Sequence, residues 1–153
     1  MEGLEGVIKK HPFFAGLDEA FCALIAGCAK NVVFQAGENL FHEGEPAEWF
    51  YLLRQGLVAM QVAAPGRGAV TFQTLGEGEI VGVSCLVAPY RWNDDAKAVE
   101  LTRAVAMSAQ CLRQKCESDH DLGYEIMKRF TPILIQRLHA AQLQLLDVYG
   151  AKA

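Results

Sequence analysis

Glycines at short, regular intervals limit what this chain can fold into. Between residues 31 and 108 the sequence consists of short runs rich in Val, Phe, Leu and Tyr. Such runs, bounded by turn residues, are typical of antiparallel strands, and glycine takes the left-handed backbone conformation that tight turns need. The pattern predicts a mainly β fold, a small antiparallel roll of the jelly-roll type. The glycines that separate the runs are Gly37, Gly44, Gly56, Gly66, Gly68, Gly76, Gly78 and Gly82.

Helical spacing flanks this region on both sides. Residues 5–10 and 18–29 are predicted helices, joined by a turn over residues 11–17. After Ser118 and Asp119, which can cap a helix, apolar residues recur every three or four positions to the end of the chain. Pro132 predicts a kink or break there, because proline inside a helix costs about 3 kcal/mol. We expect one domain over residues 1–153: N-terminal helices over 1–30, the roll over 31–117 and C-terminal helices over 118–153.

The last helical segment has more apolar surface than a small roll can cover. A second copy packed against it would bury that surface, so we expect a homodimer. The alternative is that the helix lies across its own roll. The predicted interface residues are Leu134, Leu138, Ala141, Leu145 and Val148.

Charge and cysteine content exclude several partner classes. The formal net charge is -4, whereas direct nucleic-acid and anionic-membrane partners select basic surfaces. The chain has no run of about 20 apolar residues and no signal peptide at its start, so we expect a cytoplasmic protein. Five cysteines without a close C-x-x-C pair predict reduced, mostly buried thiols.

The order of these motifs resembles the cyclic nucleotide-binding domain superfamily, which includes the effector domain of catabolite-activator-type regulators. The similarity begins at residues 11–17, runs through the glycine turns of residues 34–46 and 50–56, and continues over residues 75–82. It covers nearly the whole chain. The resemblance implies a non-enzymatic regulatory domain that senses a small molecule.

The resemblance also implies a phosphate-binding cassette over residues 78–98. Gly82 would open a turn and a short helix whose backbone N–H groups bind an anion. The ribose-binding glutamate expected next is Val83 here, and the phosphate-pairing arginine expected two residues before Ala96 is Asp94, followed by Asp95. Losing a charge-assisted pair removes about 2–5 kcal/mol, which argues against ordinary cAMP or cGMP binding.

Two arginines are candidates to replace the missing phosphate ligand. Arg91 could turn into the pocket from the cassette loop, and Arg137 could reach it from the C-terminal helix, although a solvated position is the simpler expectation for a single helical arginine. Trp92 could form a wall of the pocket. No cofactor is indicated, and a cyclic nucleotide or another small anion is the expected ligand class. The predicted ligand-binding set is Gly82, Val83, Ser84, Cys85, Arg91, Trp92, Asp94, Asp95 and Ala96.

Catalytic and metal sites are poorly supported. A cupin-type metal site needs two or three converging histidines, but His42 alone lies in the predicted roll. Cys85 could be activated as a thiolate at the start of the cassette helix, and the simpler interpretation is a buried structural thiol. Cys22 and Cys28 fall on one apolar helix face, which favours core packing over an iron–sulfur ligand set.

Three functions remain open. The first is a homodimeric sensor whose ligand shifts the C-terminal helix. The second is a scaffold domain that has lost its ligand, with a pocket filled by its own Trp92 or Arg91 and a regulatory protein as its partner. The third is a regulator that acts on DNA only through a partner chain, since the sequence ends three residues after Gly150 without a recognition helix.

Overall fold

The structure, a computed structural model, describes residues 3–150 and, within them, all side chains except those of residues 83 and 148–150. Four α-helices and eight β-strands lie in this part of the chain. The helices are α1 (Leu4–Lys10), α2 (Glu19–Ala26), α3 (Ala109–Ser118) and α4 (His120–Gly150). The strands are β1 (Ala29–Phe34), β2 (Asn39–Phe41), β3 (Trp49–Gln55), β4 (Leu57–Ala64), β5 (Gly68–Gly76), β6 (Ile80–Val81), β7 (Asp95–Ala98) and β8 (Thr102–Ser108). Two short 3-10 helices cover Pro12–Phe14 and Val83–Leu86.

The strands form two four-stranded sheets in which all the neighbours pair antiparallel. The strand orders are β1-β8-β3-β6 and β2-β7-β4-β5. One buried cluster draws on both sheets, with Leu52 and Val105 from the first sheet and Val58 and Leu75 from the second. The structure confirms the predicted β-roll with N-terminal helices, a short cassette helix and a long C-terminal helix.

Aromatic side chains attach α4 to the roll. Phe130 of α4 packs edge-on against Phe13, with ring centroids 5.0 Å apart, and against Phe50 of β3 at 5.5 Å. Phe13 also contacts Phe14 at 4.7 Å. Edge-to-face pairs of this kind add about 0.5–1.5 kcal/mol each beyond the burial of their area. The turn that follows α1 thus holds the start of α4 against β3.

Helix α3 differs from the prediction, which assigned its residues to the roll. It begins after Ser108, whose hydroxyl accepts a hydrogen bond from the Cys111 amide at 3.2 Å, and it buries Ala109 and Leu112. A serine cap followed by an apolar residue at helical spacing was the available signal. Helix α2 is also shorter than predicted, because Ala29 already pairs with Met107 in the first sheet.

Helix α4 runs from His120 to Gly150 as one helix with Pro132 inside it, so of the expected kink or break the break is absent. Proline removes the helical hydrogen bond to the carbonyl of Lys128, a residue on the exposed side of the helix. Ile126 and Phe130, both fully buried, hold the preceding turns against the roll. Neither α4 nor another described helix is long and apolar enough to cross a membrane.

A disulfide joins Cys28 to Cys111, which corrects the expectation of five reduced thiols. The Ser108 amide donates to the Cys28 carbonyl at 2.8 Å, so the strand pairing brings the two cysteines together with their Cα atoms 5.6 Å apart. The two cysteines are 83 positions apart, so no local sequence pattern indicated that they pair. Cys22 and Cys85 are free and buried, as predicted, and Cys116 is free and partly buried.

We expect Cys111→Ser to lower the free energy of unfolding by about 2–4 kcal/mol without reductant, because the unfolded chain gains the freedom of a long loop. Urea unfolding with and without dithiothreitol measures this, and the difference between the variant and the parent chain should vanish with reductant. Cys116→Ser, which leaves the disulfide intact, is the matched control. A parent protein with five titratable thiols in its native state would contradict the disulfide.

Candidate functional site

The cassette begins with a sharp change of backbone direction at Gly82. Strand β6 ends at Val81, Gly82 takes the left-handed conformation (φ 105°, ψ 59°), and the 3-10 helix Val83–Leu86 follows at once. The chain then returns through a loop to β7. The predicted turn and short helix are present, although four residues of 3-10 helix carry only a small dipole for anion binding.

Trp92 closes the cassette against the roll. Its ring stacks on Phe41 of β2, with centroids 3.8 Å apart and planes 11° apart, and it is buried. The backbone around it is tied to the loop after β2: the Gly44 amide donates to the Trp92 carbonyl at 2.9 Å, and the Trp92 amide donates to the Glu45 carbonyl at 3.1 Å. A side chain at Gly82 would lie 2.6 Å from the indole ring, so this packing requires glycine there.

A cavity of about 270 Å³ lies between the cassette, strands β4 and β5, and helix α4. This volume is slightly below the range of about 300–1,000 Å³ that is usual for ligand pockets. The wall is mostly apolar, with two charged side chains and several amides. Its lining residues are Met60, Phe72, Gln73, Gly82, Ser84, Trp92, Asn93, Asp94, Leu134, Arg137, Ala140, Ala141 and Gln144.

Arg137 projects from α4 into this pocket. Its guanidinium donates a hydrogen bond to the Ile80 carbonyl on β6. Burial lowers the pKa of Arg137, while the charges of Glu79 and Asp94 raise it. The simpler expectation of a solvated arginine is therefore wrong, and Arg137 links α4 to the strand that leads into the cassette.

Asp94 lines the pocket at the position where the resemblance calls for a phosphate-binding arginine. Burial raises the pKa of the Asp94 carboxyl, the positive charge of Arg137 lowers it, and the nearby carboxylates of Asp95 and Glu43 raise it. The cassette side of the pocket thus presents a negative group in acidic surroundings.

Arg91, one of the two candidate replacements for the missing phosphate ligand, lies outside the pocket. Its guanidinium donates to the Gly44 carbonyl at 2.8 Å, and its side chain is exposed. The backbone bridge between Pro46 and Arg91 fixes this orientation. Arg91 therefore fastens the cassette loop to the turn after β2.

Three other predicted residues also serve the fold more than the pocket. Cys85 is fully buried, and burial raises the pKa of its thiol to about 12, so it is not a thiolate at neutral pH. Asp95 accepts a hydrogen bond from the Glu43 amide at 2.7 Å. Ala96 is buried in β7, paired with Met60. The Val83 side chain lies outside the described residues.

The predicted dimer residues divide between the pocket and the outer face of α4. Leu134 and Ala141 line the pocket. Leu138 and Leu145 are 60% and 56% exposed. The side chain of Val148 lies outside the described residues. One helix face therefore borders the cavity and also leaves apolar side chains uncovered in this single chain.

Sequence reasoning missed the pocket residues from β4 and β5, namely Met60, Phe72 and Gln73. It also missed Gln144, whose amide donates to the Phe72 carbonyl and so holds α4 over the second sheet. Strand alternation predicts which residues face inward, but it does not tell which of them border a cavity. In residues 3–150 no group of three His, Cys, Asp or Glu side chains is placed to hold a metal ion.

A β-roll that encloses a small cavity with a cassette and one long helix defines a class of regulatory domains. The family model for the cyclic nucleotide-binding domain matches residues 31–119, more than half of the chain. This chain belongs to the cyclic nucleotide-binding domain family.

Relatives and solved structures agree with this assignment. The CRP-like cAMP-activated global transcriptional regulator of Mycobacterium tuberculosis is 21% identical over 145 residues, which cover 95% of this chain and 63% of the regulator. This chain thus spans less than two thirds of that relative. A cyclic nucleotide-binding-type protein from Geobacter metallireducens superimposes with a TM-score of 0.80 at 28% identity, over 91% of this chain and all of the other. The Thermus thermophilus catabolite activator protein gives 0.71 at 24% identity, over 91% and 63%.

We expect Gly82→Ala to lower the free energy of unfolding by about 3 kcal/mol, since the added methyl group meets the Trp92 ring in a backbone conformation that favours glycine. Gly37→Ala is the matched control: Gly37 also has a positive φ, 91°, but open space around it. It should lose only the backbone cost of about 1–2 kcal/mol. Equal losses in urea unfolding would show that Trp92 does not pack on Gly82.

Proposed function

We propose that this chain is a non-enzymatic regulatory domain that senses a small molecule other than an ordinary cyclic nucleotide. The observation that carries the proposal is Asp94, which lines the cassette pocket where the family resemblance calls for a cation. A cyclic phosphate placed there would meet a carboxylate. Like charges at a binding contact cost several kcal/mol, enough to move a micromolar ligand to the millimolar range.

Two arginines near the cassette, Arg91 and Arg137, do not form a phosphate-binding site. Arg91 lies outside the pocket, where its guanidinium donates a hydrogen bond to the Gly44 carbonyl. Arg137 is held by the Ile80 carbonyl and faces the charges of Glu79 and Asp94. The pocket wall is therefore close to neutral, with one charge of each sign, and it does not form a positive cradle.

Helix α4 forms one wall of the pocket, so binding of a ligand would change the position of this helix. Arg137 and Gln144 connect α4 to the backbone of β6 and β5 on two sides of the cavity. A ligand in the cavity would touch both the cassette and α4, and it would favour the arrangement that it fits better. This is a population shift of the helix relative to the roll.

The output proposed for this shift is a homodimer formed through α4 in the cytoplasm. Large apolar side chains stay uncovered along the second half of α4 in the single chain, and a second copy with the same face would bury them. A regulatory protein partner could read that dimer. The exposed fractions are 62% for Ile135, 60% for Leu138, 49% for Leu143, 56% for Leu145 and 65% for Leu146.

A second candidate is a ligand-free interaction domain. The size of the cavity favours it, because about 270 Å³ leaves little room and Trp92 already fills the space over Gly82. In that case the exposed face of α4 would be the functional surface, and occupancy of the pocket would not matter. A binding measurement separates the two candidates.

Isothermal titration calorimetry of the full chain with cAMP and cGMP should give dissociation constants weaker than about 1 mM for both. The double variant Val83→Glu, Asp94→Arg restores the two side chains that the family resemblance expects, and it should bind cAMP at least about tenfold more tightly. The control variant Val83→Glu, Asp95→Arg keeps the glutamate but places the arginine one residue further along. It should not bind cAMP more tightly than the parent chain. Micromolar binding by the parent chain would overturn the exclusion of ordinary cyclic nucleotides.

Sedimentation equilibrium should show the parent chain as a dimer and Leu138→Asp as a monomer at micromolar concentration, because the substitution places a charge in the apolar interface. Gln136→Asp adds the same charge at an exposed polar position on the side of α4 opposite Leu138 and should leave the dimer intact. A monomeric parent chain would contradict assembly through α4.

A further inference from the structure

Two side chains of opposite charge line the cassette pocket from different elements. Asp94 comes from the cassette and Arg137 from α4, and both border the same cavity. Among the ion pairs of the described residues none joins these two groups. The charges therefore face a shared space instead of neutralising each other by contact.

Arg137 is positioned and still has donors to offer. A guanidinium carries five N–H donors in a planar fork, and the hydrogen bond to the Ile80 carbonyl uses one of them. That bond fixes the orientation of the fork at the edge of the cavity. Such a fork binds carboxylates and phosphates through two parallel hydrogen bonds, and beside the negative Asp94 the singly charged carboxylate is the better fit.

Asp94 lacks a donor. An ionised carboxylate only accepts hydrogen bonds, and the described residues provide none to Asp94, whereas the neighbouring Asp95 already receives the Glu43 amide. Burial raises the pKa of Asp94 above its ordinary value although the charge of Arg137 lowers it, so the charged form of Asp94 is only partly stabilised. A positively charged N–H group would remove that cost by supplying both charge and donors.

The rest of the pocket is mostly apolar. Phe72, Trp92 and Leu134 form much of the wall, and the volume of about 270 Å³ suits a compact molecule. A ligand that complements both charged side chains and the apolar wall has one negative group, one positive group and an apolar body. A cyclic phosphate brings the negative group alone.

We propose that the pocket binds a small zwitterion of the α-amino acid type, with its carboxylate on Arg137, its ammonium group on Asp94 and an apolar side chain against Trp92. This assignment rests on the proposed sensing function, because it names the ligand class of the same pocket. It requires both charges on one molecule.

The test uses isothermal titration calorimetry of the full chain with four probes: L-leucine, L-methionine, L-phenylalanine and L-tryptophan. At least one of them should bind with a dissociation constant below about 1 mM. For that probe, the matching amine without the carboxylate and the matching acid without the amino group should each bind at least about tenfold more weakly. Failure of all four amino acids to bind overturns the assignment.

Variants of the two charged residues test which group binds which charge. Asp94→Asn should weaken binding of the amino acid at least about tenfold. It should also shift the preference of the pocket towards the acid that lacks the amino group. Arg137→Gln should weaken it similarly and shift the preference towards the amine. Asp121→Asn removes the same charge at the exposed start of α4, where it neither lines the pocket nor acts on Asp94, and it should change the affinity less than about twofold. An unchanged preference in both pocket variants contradicts the assignment.

A blocking variant separates failure of this assignment from failure of the sensing function. Ala140 lines the pocket, and Ala140→Trp should fill it and abolish binding. If the amine or the acid related to one of the four probes binds in a manner that Ala140→Trp abolishes, but no amino acid does, the pocket senses a ligand of another class: the zwitterion is excluded and the sensing function stands. If no probe binds, neither the zwitterion nor the sensing role is supported, and the interaction domain stands.

Discussion

Phe130 is the contact on which the placement of the functional elements depends. Its ring lies edge-on to Phe13 from the N-terminal turn and to Phe50 from the first sheet, so three distant segments meet at one side chain. Helix α4 projects from that point across the second sheet. The position of Arg137, two turns further along, follows from this anchor and from its own hydrogen bond to the Ile80 carbonyl. Without the aromatic contacts the pocket would lack its third wall.

The electrostatics of the pocket follow from which charges the fold has already used. Arg91 and Asp95 lie in the cassette sequence, yet both are bonded to backbone of the turn after β2. Asp94 and Arg137 are the charged side chains of the described part of the chain that line the cavity. The family fold is thus kept, and its cavity is lined by one charge of each sign, Asp94 from the cassette and Arg137 from α4. This combination is the reason to separate membership of the family from binding of its usual ligand.

Local sequence patterns predicted the architecture well. They could not predict contacts between residues that are far apart in the chain. The glycine spacing predicted the roll, and the sequence alone placed Asp94 where the family resemblance implies an arginine, because the cassette residues follow one another closely. The orientation of Arg91 could not be read from the sequence, since it depends on the carbonyl of Gly44, 47 residues away. The disulfide joins residues 83 apart, and its cysteines meet only through strand pairing. The helix does not break at Pro132, because buried packing on one side of α4 outweighs the cost of a proline inside a helix.

The stack of Trp92 on Phe41 has a consequence for how this protein can vary. The indole occupies the space over position 82, so Gly82, Phe41 and Trp92 form one steric unit drawn from three separate segments. A residue with a side chain at position 82 becomes acceptable only after the indole has been replaced by something smaller, and that replacement in turn uncovers Phe41. Changes at these three sites are therefore expected to arise together during divergence, in an order that begins with Trp92.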